Sequence, residues 1–247
     1  MKLARSVLTL MFASGMAAAQ GPGSLLGVSF TQSKGSASLS APLQIVVLLT
    51  LLTVLPAVIM TVTPFLRITI VLHFLRQALG TQGTPSNQVL IGLALFLTML
   101  IMQPVGSEMY HKGWEPMEQG HVTWQQAFDE GSKPLQGFLV RYVRDKDVRL
   151  FLDISHTPAP KRPSDLSLSI LMPAYVLSEL KTSFQIGAVL FLPFLVIDLV
   201  VASVTLSIGM VQLPPVMLSA PFKILLFVLV DGWNLVVGSL VRSFYQT

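Results

Sequence analysis

Any chemistry in this sequence has to start at Asp198, Lys223 and Asp231, because each interrupts an apolar run. Asp198 sits in VLFLPFLVIDLVVASVTLSIG, and Lys223 and Asp231 sit in APFKILLFVLVDGW. An ionisable group in hydrocarbon is costly unless paired, so such positions mark a function or a partner. Between the runs, residues 209–221 hold Gly209, Met210, Pro214, Pro215 and Pro221. A Pro-Pro pair after a glycine cannot continue a helix, so this segment is expected to turn the chain back. About a turn centred near Met210 and Val211, Asp198 lies nearly as far before as Lys223 lies after. An antiparallel hairpin would bring them to similar depth, where they could pair. Glu179, just ahead of the hairpin, is a second possible partner for Lys223. Such a pair either makes burial tolerable inside one chain or ties one subunit to another, and both roles could hold.

Other chemistries find no foothold in the sequence. It contains no H-E-x-x-H, G-x-S-x-G, Walker-type glycine loop or G-x-G-x-x-G. Its histidines (73, 111, 121 and 156) are scattered without metal-ligand spacing. Cysteine is missing altogether, which excludes disulfides, thiol catalysis and cysteine-bound metal. The basic residues form no stripe interleaved with aromatics, so no nucleic-acid footprint is visible. No enzymatic activity, metal or cofactor is expected. The rival reading of a polytopic membrane enzyme would rest on Asp198 with Asp231, the one candidate carboxylate pair. A secondary transporter with broken helices is a further rival, against which stands the lack of an inverted repeat.

The elements that must position these residues are long and apolar. Of 247 residues, 52% are hydrophobic and 11% charged, with mean hydropathy +0.69. Soluble domains carry about 25% charged residues, so the chain is membrane-associated or built into an apolar assembly. Residues 1–19 combine Lys2 and Arg5, an apolar stretch and Ala17-Ala18-Ala19, the layout of a cleaved signal peptide. Residues 20–41, rich in Gly and Ser, read as a flexible arm. Residues 42–247 are expected to form one helical domain.

Within that domain the first apolar run, Pro42 to about Met60, is interrupted by Pro56 and Pro64 toward its end. Residues 65–79 are amphipathic, with Ile68, Leu72, Leu75 and Leu79 at helical spacing and Arg67 and His73 elsewhere on the wheel. Ser86 or Asn87 could cap the next helix. A second apolar run, 89–102, is expected to end near Gln103-Pro104, short of the roughly 20 residues a span needs. A polar segment follows at 106–165. In it, 125–128 and 135–152 look helical, with Pro134 near the start of the second helix and Asp145-Lys146-Asp147 on a solvated face. Phe138 and Phe151 are large apolar groups in charged surroundings, and stand either as local packing or as candidate subunit contacts. Pro158, Pro160 and Pro163 give a rigid connection to the C-terminal hairpin region, 173–247. Four spans after a cleaved signal would place the loop from Arg67 to Arg76 inside and residues 106–185 outside. Proline breaks in apolar runs are tolerated where protein covers them. One chain of this size has few helices to spare, so the cover is expected from other subunits.

Three stretches carry a resemblance: PAYVLSELKTSFQIG, PFKILLFVLVDGW, and LHFLRQALGTQGTPSNQVLIGLALFLT further upstream. They resemble the FliP family, the biosynthetic proteins of the flagellar type III export apparatus, and the similarity covers nearly the whole mature chain. It implies an all-α fold of membrane-type helical hairpins that assemble into a ring-like or helical export gate. The implied role is a core subunit of the channel through which unfolded flagellar proteins cross the inner membrane. Implied partners are copies of itself, FliQ-like and FliR-like membrane proteins, other export-apparatus subunits and the unfolded substrates. The implied place is the bacterial inner membrane at the flagellar basal body, with much of the chain toward the periplasm. The homologous injectisome subunit is the close alternative. In the family the hairpin turn carries a methionine cluster that looks like a gasket. Here it reads Met210, Val211, Gln212 and Leu213, so only Met210 matches, and Gln212 would wet the ring. From the residues themselves, Glu179, Asp198, Lys223 and Asp231 are expected to form a buried charge network that holds the hairpins in register, within or between subunits.

Overall fold

The computed structural model describes residues 41–81, 83–158, 160, 162, 165–209 and 214–245. The expected signal peptide, the expected arm up to residue 40, and the turn residues Met210–Leu213 lie outside the described residues, and Ala41, expected in the arm, opens a helix instead. From Thr53 onward the chain forms one compact unit, and helix α1 (Ala41–Thr61) begins ahead of it. Among the described residues there is no strand, and the fold is all-helical.

Helix α2 (Phe65–Leu79) starts directly after Pro64 and ends where Gly80 turns left-handed at φ 68°, closing the last turn onto the Gln77 carbonyl. The apolar spacing read from sequence is its buried face: Ile68, Leu72, Leu75 and Leu79 are all buried, joined by Val71 and Ala78. One expectation is corrected here. Arg67, read as lying away from the apolar face and within a connecting loop between spans, is buried in this helix. It falls four residues before Val71, and so shares the face of Val71, Leu75 and Ala78.

Helix α3 (Asn87–Met109) runs straight through Pro104 rather than ending there. Proline at 104 leaves the Leu100 carbonyl without its helical donor. The Tyr245 hydroxyl, from the C-terminal end, approaches that carbonyl at 3.4 Å. The chain continues through a π-helical turn, Tyr110–Trp114, into the short α4 (Glu115–Glu118). A Cβ on Gly113 would lie 2.8 Å from the Ala127 carbonyl oxygen and 2.9 Å from Gly131 Cα. Glycines at 113 and 131 are therefore what allow the π turn to cross α5 (Trp124–Tyr142) at backbone contact.

Helix α5 carries Pro134 in its interior, so the proline does not open a second helix as the sequence led one to expect. Thr123 and Gln126 close a capping box at its start. The chain breaks at Val143 and Arg144, both extended, and resumes as α6 (Asp145–Ile154). Helix α7 (Leu168–Ser207) is 40 residues long and passes through Pro173 and Pro193. The return arm is two helices, α8 (Pro215–Leu229) and α9 (Gly232–Arg242), bent by 65° at Val230 and Asp231.

Among the described residues three helical stretches could cross a membrane by length and composition, 42–61, 87–118 and 168–207. A fourth arises if the bent pair α8 and α9 is one span. The packed centre lies where α2 runs along α7. Val71 and Leu72 meet Leu171, Ala174 and Tyr175 there, with Leu139 from α5 and Leu240 from α9.

Candidate functional site

Two ion pairs tie the apolar helices to one another. In the first, Lys223 Nζ of α8 donates to Asp198 Oδ2 of α7 at 2.6 Å and to the Ala78 carbonyl oxygen of α2 at 3.1 Å. Ser219, one turn before Lys223, donates to the other oxygen of Asp198. The lysine side chain is only 4% exposed and the aspartate 33%. Lys223 thus closes the hairpin and also reaches a carbonyl in the last turn of α2, where a cation is favoured. Between the two partners left open for Lys223, the structure takes Asp198.

Glu179 is committed elsewhere. Its carboxylate is fully buried and receives a two-pronged contact from Arg67, Nε to Oε2 at 2.7 Å and Nη2 to Oε1 at 2.5 Å. Arg67 Nη1 donates to Ser243 Oγ at 3.1 Å, and its guanidinium lies 4.0 Å above the Phe244 ring and 5.8 Å from that of Tyr142. The Tyr142 hydroxyl donates to the Phe244 carbonyl at 2.5 Å. One cation therefore joins α2, α5, α7 and the turn after α9. A planar fork suits this role, because it gives paired hydrogen bonds and stacking together. The sequence offered one usable signal: Glu179 and Asp198 are the only acidic residues in α7, and Arg67 lies on a buried face.

Asp231 stands apart from both pairs. It is exposed, with left-handed φ 51° at the break between α8 and α9. The four residues grouped by the sequence are thus one hairpin pair, one core pair made with Arg67, and a separate corner residue. Asp198, held by Lys223 and Ser219, is not poised with Asp231 as a carboxylate dyad. Phe138 is buried in the core against Tyr142, Tyr175 and Phe244, and is not available as a surface contact. Phe151 is half-buried and packs against the same core.

The polar segment holds a third network. Asp147 is buried, not solvated as its alternating-charge surroundings imply, because α6 turns it onto α7. Lys181 donates to one carboxylate oxygen and Ser178 to the other, the latter at 2.8 Å. Ser178 Oγ also accepts from the Arg144 amide at 3.0 Å. Burial pushes the Asp147 pKa up, but the donors Lys181 and Ser178 and the charges of Lys181 and Arg144 outweigh it. The carboxyl is held below the ordinary aspartate range. A lowered folded pKa means stability present above the unfolded value and lost as pH falls through the folded one. The docking of α6 on α7 should therefore be flat from neutral pH down to about 4 and weaken only below it. In Asp147→Asn that acid-dependent step should vanish. Limited proteolysis of the 106–165 segment across pH reads this; an unchanged acid profile in the variant would count against it.

Among the described residues no group of His, Asp or Glu has the arrangement of a metal site. What the geometry does is hold long apolar helices in register by buried charge pairs while leaving much of their apolar surface uncovered. The comparisons with known proteins agree with that picture. The model of the FliP family matches residues 48–240. The flagellar biosynthetic protein FliP of Pectobacterium carotovorum subsp. carotovorum is 48% identical over 212 residues, 86% of this chain and 82% of the relative. That of Cereibacter sphaeroides is 48% identical over 218 residues, 88% of this chain and 72% of the relative. The protein of the same name from Bacillus subtilis (strain 168) is 46% identical over 217 residues, 88% of this chain and 98% of the relative. The match spans both charge pairs and the hairpin that carries one of them, and the chain belongs to the FliP family, flagellar biosynthetic proteins of the export apparatus.

Proposed function

We propose that this chain is a core subunit of the flagellar protein export gate. Copies of it join FliQ-like and FliR-like membrane proteins to form the channel for unfolded flagellar proteins across the inner membrane. Much of the assembly would stand toward the periplasm, and the chain itself would carry no catalytic activity. The observation that carries this reading is the uncovered apolar surface. Only 11% of the apolar window of α7 and 28% of that of α3 is buried, although both helices contain prolines. Helices interrupted in this way need protein around them. The relatives named above are all flagellar proteins, which supports flagellar over injectisome cargo.

In this reading Met210, Val211, Gln212 and Leu213 at the hairpin tip form part of the constriction. Unbranched, flexible methionine makes a deformable seal, and an apolar ring can hold back ions by dewetting. The pairs Lys223–Asp198 and Arg67–Glu179 keep the arms of each subunit in register beneath that tip.

The native mass of the detergent-purified chain, alone and with the two partner proteins, tests the assembly. A discrete oligomer that gains mass with the partners is expected; a stable monomer in both preparations would overturn the reading. Met210→Ala tests the constriction. Assembly should be near normal and the closed channel leakier to small ions, and an unchanged ion permeability would refute the seal.

A further inference from the structure

The corner at Asp231 is built rather than loose. Phe227 is buried, and its ring fills the place where Gly232 would carry a side chain: a Cβ there would lie 2.2 Å from the ring. Trp233 closes edge-on over the same ring at 5.4 Å. With glycine forced at 232, the 65° bend is fixed, and Asp231 takes the left-handed residue of the turn, a conformation that aspartate tolerates better than most. The carboxylate is thereby set at the outside of the corner.

Apart from the exposed Asn234 one turn on, its surroundings are apolar. Leu225, Val228, Leu229 and Val230 before the corner, and Leu235 after it, are all exposed, Leu229 by 73%. Among the described residues no cation or hydrogen-bond donor reaches the Asp231 side chain, although its backbone N–H and C=O are both used, by Val228 and Leu235. Asp231 is the N-cap of α9, which favours its charge while the corner faces water; once another protein covers the apolar surface around it, the carboxylate also needs a cation from outside the chain. A second copy has little to offer. In the apolar helices Arg67, Lys181 and Lys223 are each already on a carboxylate, Arg76 is turned to the Pro85 carbonyl and Asn87 of the following loop and helix, and Arg242 lies at the opposite end of α9.

We propose that the corner of α8 and α9 is a docking surface for an apolar helix of a different membrane subunit, which brings one lysine or arginine to Asp231. The apolar flanks supply contact area and the carboxylate fixes the register, as a single buried charge pair does in other helix interfaces. This rests on the export-gate reading, and the two fail in different ways. If the unaltered chain forms no complex with the partner proteins, the gate reading fails. If it forms one and Asp231 is dispensable, only this inference fails.

The experiment is the yield of the co-expressed complex for Asp231→Glu, Asp231→Asn and Asp231→Lys, with helicity of the isolated chains as a folding control. Asp231→Glu should assemble nearly as well as the unaltered chain, Asp231→Asn clearly less, and Asp231→Lys by about tenfold less or worse. Each basic residue in the apolar helices of the partners is then exchanged for glutamate against Asp231→Lys. Recovery at one such position identifies the partner side chain. Normal assembly of Asp231→Asn overturns the proposal, as does a loss in Asp231→Glu equal to that in Asp231→Lys. So does failure of every partner exchange to restore Asp231→Lys.

Discussion

Arg67→Met should destabilise the chain by about 3–5 kcal/mol, the cost of leaving a buried carboxylate without its cation. Without Arg67, Glu179 must either take up a proton or stay a buried, unpaired anion, and both cost stability at neutral pH. It is fully buried, and both its oxygens are bound by the one guanidinium. Methionine keeps most of the arginine stem volume, so the loss would report the charge and the hydrogen bonds rather than a cavity. Thermal unfolding of the detergent-purified chain should fall by roughly 10 °C. Arg67→Lys should fall between the two, since an ammonium cannot hold two carboxylate oxygens, Ser243 and the face of Phe244 together. The double variant Arg67→Met with Glu179→Met should recover most of the loss, because removing both charges leaves nothing buried and unpaired. A single variant no less stable than the unaltered chain would show that the pair does not hold the core. A double variant no better than the single would show that the stacking on Phe244 and Tyr142 matters more than the charge.

That pair also marks where reading from sequence stops. Local pattern was legible. The spacing of Ile68, Leu72, Leu75 and Leu79 gave α2 and its buried face, and the near-symmetry of Asp198 and Lys223 about the turn gave the hairpin pair. Arg67 and Glu179 lie 112 residues apart, and no periodicity links them. Their pairing follows from α2 lying along α7, which only the packing of the whole unit decides. The prolines misled for a different reason. Proline costs a helix about 3 kcal/mol, which reads as a stop when one segment is considered alone. In long apolar helices surrounding contacts offset part of that cost, and α3 continues through Pro104 with a tyrosine hydroxyl near the carbonyl that the proline frees. Asp231 was grouped with the buried charges because it stands in an apolar run, but the bend beside it turns it outward. The three signature stretches carried the family, since polar residues at fixed places in apolar runs are specific where hydrophobicity alone is not.

Lys223→Glu should abolish assembly and secretion, and it should do so more completely than Lys223→Met. The lysine is nearly fully buried and makes two contacts of different kinds, the Asp198 carboxylate and the Ala78 carbonyl. Methionine removes both and leaves Asp198, which is one-third exposed and still bound by Ser219, to be solvated in part. Glutamate instead sets a second anion against Asp198 and against the carbonyl end of α2, so α8 is pushed from both helices it must touch. The charge-swapped pair Asp198→Lys with Lys223→Glu separates these two effects. It restores opposite charges across the hairpin but cannot return a donor to Ala78, because the new ammonium would sit on α7 and the group facing α2 would be an acceptor. Rescue should therefore be partial: the hairpin closes again, while the end of α2 remains without its cation. Complex yield and motility read the outcome together. Full rescue would mean that the Ala78 contact is dispensable. Normal assembly of Lys223→Glu would mean that the hairpin is held by its apolar contacts alone.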